Sequence, residues 1–509
     1  MAIVQAGETT GGVRRLRVAN PATKEHIGDI SVNTLEIVRE TVARSRTAQE
    51  AWGAKTVDER AIVIDRALKL LIARQEDFIS VIMRETGRSH FETIMMEIMP
   101  ACDALSYFSK QARRTLRDRK VGLHLLRNKR LTITYQPLGV VGVITPWNGP
   151  FILSINPAIQ ALLAGNGVVI KPSEVTPFSG KLVAELFRDA GLPSGLLAVL
   201  EGDGETGVAL IESGVDKISF TGSVKTGRKV GEACGRNLVP CTLELGGKDA
   251  MIVCDDADVV RAANGAVFGA LMNAGQFCCS IERIYVAENI ADEFIRRVVA
   301  KVKTLKQATS GEFDLGPMIW PPQLDVIERH IEDAKKHGAT VLVGGKRNEQ
   351  VGGLYYEPTV ITNVTHDMAI MREETFGPVV AIVRVQSDDE AIRCANDSTY
   401  GLTATVWSRS DERAEAIAKR LVVGSISVND VALTYGALEA PFGGRRSSGV
   451  GQIHGENSLR NFCYPTPILF DRFRTKEEVV WYPYTNDKAK LLQRIIRWIW
   501  GTPLGKLMS

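Results

Sequence analysis

From residue 131 onward the chain repeats one rhythm, and that rhythm leaves few folds open to it. A short β-rich apolar run is followed by a turn, then by a longer stretch with apolar residues at helical spacing. LTITYQPLGVVGVITPW (131–147) reads as an exposed strand, a turn and a buried strand. GNGVVIKPSE, KLVAELFRDAG, LLAVLEGDG, TGVALIESG, KISFTGS and TGRKVGEAC follow it. Strands alternating with helices make βαβ units, so an open α/β domain on a parallel sheet is expected. A second stretch of the same texture begins near 247 with KDAMIVCDD and ADVVRAANGAVFGALMNAG. It runs through RIYVA, a helix over 288–308, TVLVGG and GPVVAIVRV to SISVND.

The region ahead of 131 differs. Over 34–118, stretches such as TLEIVRETVARSRTAQEAW and ERAIVIDRALKLLIARQEDFISVIMRET read as long amphipathic helices. With 509 residues the chain exceeds what one hydrophobic core organises, so two or three domains are expected. Apolar residues make up 45% and charged residues 24%, as in ordinary globular proteins, and a net charge of +3 gives no reason to expect nucleic acid. The eight cysteines (102, 234, 241, 254, 278, 279, 394 and 463) contain no C-x-x-C and no Cys/His cluster with zinc spacing. No metal is expected, and the cysteines read as free thiols in a reducing, cytoplasmic compartment. The N-terminus MAIVQAGETTGGVRRLRV lacks the apolar segment of a secretory signal, and no run of eighteen apolar residues offers a membrane span.

Two loops have the glycine spacing that attracts phosphates. GDGETG (202–207) fits G-x-G-x-x-G, but Asp203 and Glu205 inside it would repel a pyrophosphate. FTGSVKTG (220–227) follows the strand-like DKISF and opens a helix, where unpaired N–H groups and the positive end of the dipole suit an anion. Spacing alone leaves that loop balanced between a phosphate site and a plain β-to-α turn. Adjacent Cys278 and Cys279, in MNAGQFCCS, cannot easily form a disulfide with each other.

Seven pieces then line up: ITPWNGP (144–150), KPSE (171–174), FTGS (220–223), ELGGK (244–248), GQFCCS (275–280), EETFGPV (373–379) and PFGGRRSSGVG (441–451). In content and order they resemble the aldehyde dehydrogenase superfamily over nearly the whole chain. The resemblance implies an α/β aldehyde dehydrogenase fold. A Rossmann-like NAD-binding domain would take 1–120 and 140–245, and an α/β catalytic domain 246–450. A β bridging arm for oligomerisation would take 121–139 and 455–470, giving a homodimer or homotetramer.

It also implies roles. Cys278, third after Gly275, stands where the family keeps its nucleophile, and a thiolate both adds to a carbonyl and leaves from a thioester. Asn148 matches the oxyanion donor, which for the lone residue would otherwise read as a turn asparagine. Glu244 matches the base that activates the hydrolytic water, and it argues against relatives that pass the acyl group to coenzyme A. For the cofactor, Lys171 resembles the ligand of the adenosine ribose, and Glu174 stands where NAD-preferring relatives carry a carboxylate, so NAD is expected over NADP. Trp147 and Ser223 resemble pyrophosphate contacts, Glu374 the grip on the nicotinamide ribose, and Phe376 the ring packing beside it. Thr145, Pro146, Ser173, Gly222 and Leu245 complete the implied cofactor set. Arg446 replaces a lysine common in the family.

The implied reaction is oxidation of an aldehyde to the acid. A medium- or long-chain aliphatic aldehyde is the first expectation, a small polar one such as succinate semialdehyde the second, and a non-catalytic binding or structural member the remote third.

Residues 471–509 are extra to many members. The tail holds three of the seven tryptophans, Trp481, Trp498 and Trp500. On a helical wheel Leu491, Leu492, Ile495, Ile496, Trp498, Ile499 and Trp500 share one arc, with Lys490, Arg494 and Arg497 opposite. This basic amphipathic helix reads either as a peripheral membrane contact through 488–500 or as an element docked on protein.

Overall fold

The computed structural model describes residues 5–6 and 14–503. Residues 1–4 and 7–13 of the expected first domain and 504–509 of the extension lie outside the described residues. The helical region comprises Leu35–Gly53, Val57–Ala73, Gln75–Thr86 and Met99–Thr115. The first two start at side-chain caps. Thr34 accepts from the Ile37 N–H, and Thr56 with Glu59 forms a reciprocal capping box. Just before the last helix, Ile94–Ile98 widens into a π-helical turn.

The first sheet has six strands, in the order Gly449–Val450, Cys241–Glu244, Lys217–Thr221, Val140–Ile144, Gly167–Lys171 and Leu197–Val199. All pairs are parallel except the one made by Gly449–Val450, which runs antiparallel to Cys241–Glu244. Counted along the chain, the five parallel strands lie in the order 3-2-1-4-5, the doubly wound arrangement. Val140–Ile144 and Gly167–Lys171 are buried at every residue, as strands covered by helices on both faces must be. The apolar helix Ile152–Leu163 is likewise buried at every residue except the partly exposed Leu153.

The second sheet has seven strands: Thr340–Val343, Thr359–Thr362, Val379–Val385, Ile281–Ala287, Asp249–Val253, Thr403–Trp407 and Ser425–Val428. Only Thr340–Val343 is antiparallel. The helix expected over 288–308 spans Glu288–Val302. A third sheet pairs Cys463–Asp471 with Lys129–Pro137 over nine residues and adds Arg119–Val121, leaving Cys463–Asp471 as an edge.

The last part of the stretch expected in the catalytic domain returns to the first. Gly449–Val450 extends the first sheet, and Leu438, with Leu459, Phe462 and Cys463 beyond 450, joins the core around Phe151 and Leu162. The reason is the exposed edge of Cys241–Glu244, whose backbone groups need a partner.

Candidate active site

The first sheet reverses direction between Val140–Ile144 and Lys217–Thr221, and a crevice opens at the carboxyl ends of these two strands. A cleft of about 640 Å³ occupies it, lined by Thr145, Pro146 and Trp147 after one strand and by Gly222 and Ser223 after the other, with Lys171, Ser173 and Glu174 on its wall. Eight of the expected cofactor residues thus share one cavity.

Ser223 caps the helix Val224–Arg236, its Oγ accepting from the Thr226 N–H at 3.2 Å, and this helix start, with Lys229, faces the cleft. A helix N-terminus beside a lysine suits a pyrophosphate. Lys171 is buried and donates to Glu174 at 3.3 Å, a pair suited to ribose hydroxyls. The residues present therefore fit a dinucleotide. The GDGETG loop also borders the cleft. Arg14 takes up the charge of its acids, donating to Asp203 at 2.6 Å and to Glu205 at 3.3 Å. Leu245 is not in the lining; it is buried against Gly227 of the capped helix.

The run Thr145–Asn148 leads from the cleft to the thiol loop. Asn148 is buried and its amide donates to the Gln276 carbonyl at 3.1 Å, two residues before Cys278. The chain reaches Cys278 through three successive left-handed residues, Asn273 (φ 53°), Ala274 (φ 52°) and Gly275 (φ 73°). Such backbone costs about 1–3 kcal/mol at each non-glycine residue and persists only where surroundings enforce it. Gly275 admits no side chain: a Cβ there would sit 2.0 Å from the Gly377 carbonyl oxygen. Cys278 is half-buried and its Sγ lies 3.8 Å from that of buried Cys279.

Glu244 ends its strand buried, and neither carboxylate oxygen has a hydrogen-bond partner. Burial holds this carboxyl well above the usual range, and negative charge on nearby Cys278 pushes it the same way. A buried group without a protein donor is a place for a water. Glu374 lies on the Gly-Gly turn of ELGGK: it accepts from the Gly247 N–H at 2.9 Å, and a Cβ on Gly246 would meet it at 2.4 Å. Burial, and next the neighbouring Glu282, raise Glu374 to about 8. Phe376 meets Trp147 edge to face, with ring centres 5.5 Å apart.

Sequence reasoning missed the support beneath the loop. Buried Arg88 donates to Asn273 Oδ1 at 2.7 Å, to Glu97 at 2.6 Å and to the backbone carbonyl of Asn148. Glu97 in turn accepts from the N–H groups of Phe151 and Ile152, and Glu92 from the N–H of Asn273 at 2.5 Å. No local sequence signal marked Arg88, because its partners Asn273 and Asn148 are distant in the chain. Around the thiols stand Phe277, Leu402, Tyr435, Phe442 and Ile453. Tyr435 touches the buried His454, whose Nε2 lies 2.7 Å from the Asn156 amide.

A dinucleotide cleft that leads to a half-buried thiol is the arrangement of nicotinamide-dependent oxidoreductases that work through a covalent thiol adduct. Comparison with known proteins narrows that class. The aldehyde dehydrogenase family profile matches residues 8–468, and the chain belongs to this family. It is 42% identical over 455 residues, 88% of this chain and 87% of the relative, to a Mycolicibacterium smegmatis protein named as a succinate-semialdehyde dehydrogenase (NADP+). It is 37% identical over 488 residues, 96% of this chain and 91% of the relative, to a 4,4'-diapolycopene aldehyde oxidase of a Methylomonas species. Among solved structures, a Mycobacterium tuberculosis aldehyde dehydrogenase complexed with NAD+ superposes with a TM-score of 0.86 at 34% identity, covering 91% of this chain and 95% of that one.

Proposed function

We propose that this enzyme oxidises an uncharged, medium- or long-chain aliphatic aldehyde to the carboxylic acid, with NAD as the hydride acceptor. The observation that carries the substrate class is the cluster of Phe277, Leu402, Tyr435, Phe442 and Ile453 packed around the thiols. The buried cations among the described residues are all engaged elsewhere. Arg60 donates to main-chain carbonyls, Arg283 to those of Lys248, Cys394 and Ala395, and Arg88 to the loop support. Lys171, Lys217 and Lys248 are held by Glu174, Thr242 and Glu282. A carboxylated aldehyde would meet no buried cation at the thiol. Succinate semialdehyde is the second reading, favoured by the names of several relatives.

In this reading the Cys278 thiolate adds to the aldehyde carbon. The Asn148 amide, fixed by Gln276 and with a second N–H free of that bond, and the backbone N–H of Cys278 hold the oxyanion. A dinucleotide held by Lys171, Glu174 and the helix start at Ser223 would supply the hydride acceptor that lets the adduct on Cys278 become an acyl thioester. Glu244 then takes a proton from water, whose oxygen attacks the thioester; the acid leaves and the thiolate is restored. Glu174 beside Lys171 favours NAD, because a 2′-phosphate would add negative charge there; the NADP+ in relatives' names is the competing choice. We further propose assembly as a dimer or tetramer through the edge strand Cys463–Asp471, whose unpaired backbone suits a second copy.

Steady-state formation of reduced cofactor across a chain-length series of aldehydes, with succinate semialdehyde alongside and NAD compared with NADP, tests this. The expected result is kcat/KM rising with chain length and higher with NAD. A preference for succinate semialdehyde would overturn the substrate reading. Cys278→Ser is expected to abolish turnover, and Glu244→Gln to give a single burst of NADH without turnover.

A further inference from the structure

The family profile ends at residue 468, yet the chain goes on to an ordered helix, Asn486–Gly501, that the catalytic body does not cover. No residue of this helix is buried; Trp498 and Trp500 are each 50% exposed and Ile496 is 53% exposed. A helix whose apolar side packed on its own protein would bury that side. Its start is fixed within the tail, by the Thr485 cap and by Lys488, which donates to Glu477 at 2.7 Å and to the Trp481 carbonyl at 2.9 Å. Ahead of it, Val480, Trp481, Tyr482 and Tyr484 are exposed as well.

We propose that this helix is a docking surface for an anionic lipid membrane, lying flat in the headgroup region. Its 16 residues measure about 24 Å, too short for a bilayer core of about 30 Å, and no helix among the described residues is long and apolar enough to cross one. Lys490, Arg494 and Arg497 lie opposite the apolar arc, and no acidic residue follows Asp487 in the helix. Basic side chains beside tryptophans and aliphatics are what an interfacial helix needs: the apolar arc enters the acyl boundary, the indoles sit at headgroup level, and the cations meet lipid phosphates. A second copy of the chain fits less well, because the cores of protein interfaces are depleted in charge and the receiving face would have to be apolar with an acidic border. The proposal stands independently of the substrate reading. Where both hold, the enzyme works beside the phase in which apolar aldehydes dissolve.

The test is flotation of the full chain with vesicles of phosphatidylcholine, with and without phosphatidylglycerol. Binding is expected only with phosphatidylglycerol, and high salt should release it. Each basic residue near an anionic surface is worth about fivefold in binding. Arg494→Glu with Arg497→Glu should therefore weaken it by about 25-fold or more, and Trp498→Ala with Trp500→Ala by about tenfold or more. Both variants should still form NADH from a soluble short aldehyde, which shows that they are folded. Failure of the unaltered chain to float with either vesicle, or undiminished binding of both variants, would overturn the proposal. So would a change of sedimentation state in the variants without any vesicle binding, which would assign the face to a second copy. An inactive chain that still floats would count against the proposed reaction and leave this inference standing.

Discussion

Glu244 shows how one side chain carries opposed demands. Its folded-state proton affinity is raised by burial, so the protonated carboxyl stays the stable form through and above the usual carboxylate range. The contribution to stability is fully present at low pH and is lost as pH rises toward the raised folded-state value, since the unfolded chain ionises first. Glu244→Gln removes that loss. It should stabilise the fold at neutral pH, with the gain vanishing in acid, while blocking thioester hydrolysis. Thermal unfolding across pH, beside burst kinetics, checks both signs. In the unaltered enzyme, turnover should rise with pH through a midpoint well above that of an ordinary carboxylate. Asn148→Ala should lower kcat by about 10²–10³, read in single-turnover NADH formation. These residues were legible because each sits in a short motif. Arg88 was not: its partners Asn148 and Asn273 lie 60 and 185 positions away, and a lone arginine near a helix end carries no local mark.

At the level of elements, the approach to Cys278 is a strained strip clamped from two sides. From one side Arg88, Glu92 and Glu97 fix Asn273 and the Asn148 carbonyl, and the π turn Ile94–Ile98 supplies Glu97. From the other, the Gly377 carbonyl lies where only a glycine fits at 275. Gly275→Ala should therefore cost about 1–3 kcal/mol and slow alkylation of Cys278 by iodoacetamide. Arg88→Lys keeps a charge for Glu97 but loses the planar fork that serves three acceptors. It should lower kcat by about tenfold to a hundredfold while leaving KM for the cofactor unchanged. The helices and the parallel strands were readable from periodicity, whereas spacing left the helix start at Ser223 balanced between a phosphate site and a plain turn. The left-handed loop and the π turn were not readable, because contacts distant in sequence impose them.

Across the whole molecule, the two mainly parallel sheets followed from the alternation of strands and helices, whereas their strand order came only with the structure. The return of Gly449–Val450 to the first sheet was not legible either, since two residues carry no pattern. The edge strand Cys463–Asp471 exposes Tyr464, Ile468, Leu469 and Phe470, and sedimentation of the intact chain should report a dimer or tetramer. Leu469→Asp should shift it toward monomer, whereas a clean monomer from the unaltered chain at micromolar concentration would reject that use of the arm. The strand that ends in Glu244 has a further dependence. Its outer neighbour is made of residues synthesised about two hundred positions later, so a ribosome that has finished only the first half has released a sheet with an open rim at the future base. Truncated products should be insoluble and inert, and splitting the gene between 250 and 449 should restore activity only when both pieces are made together.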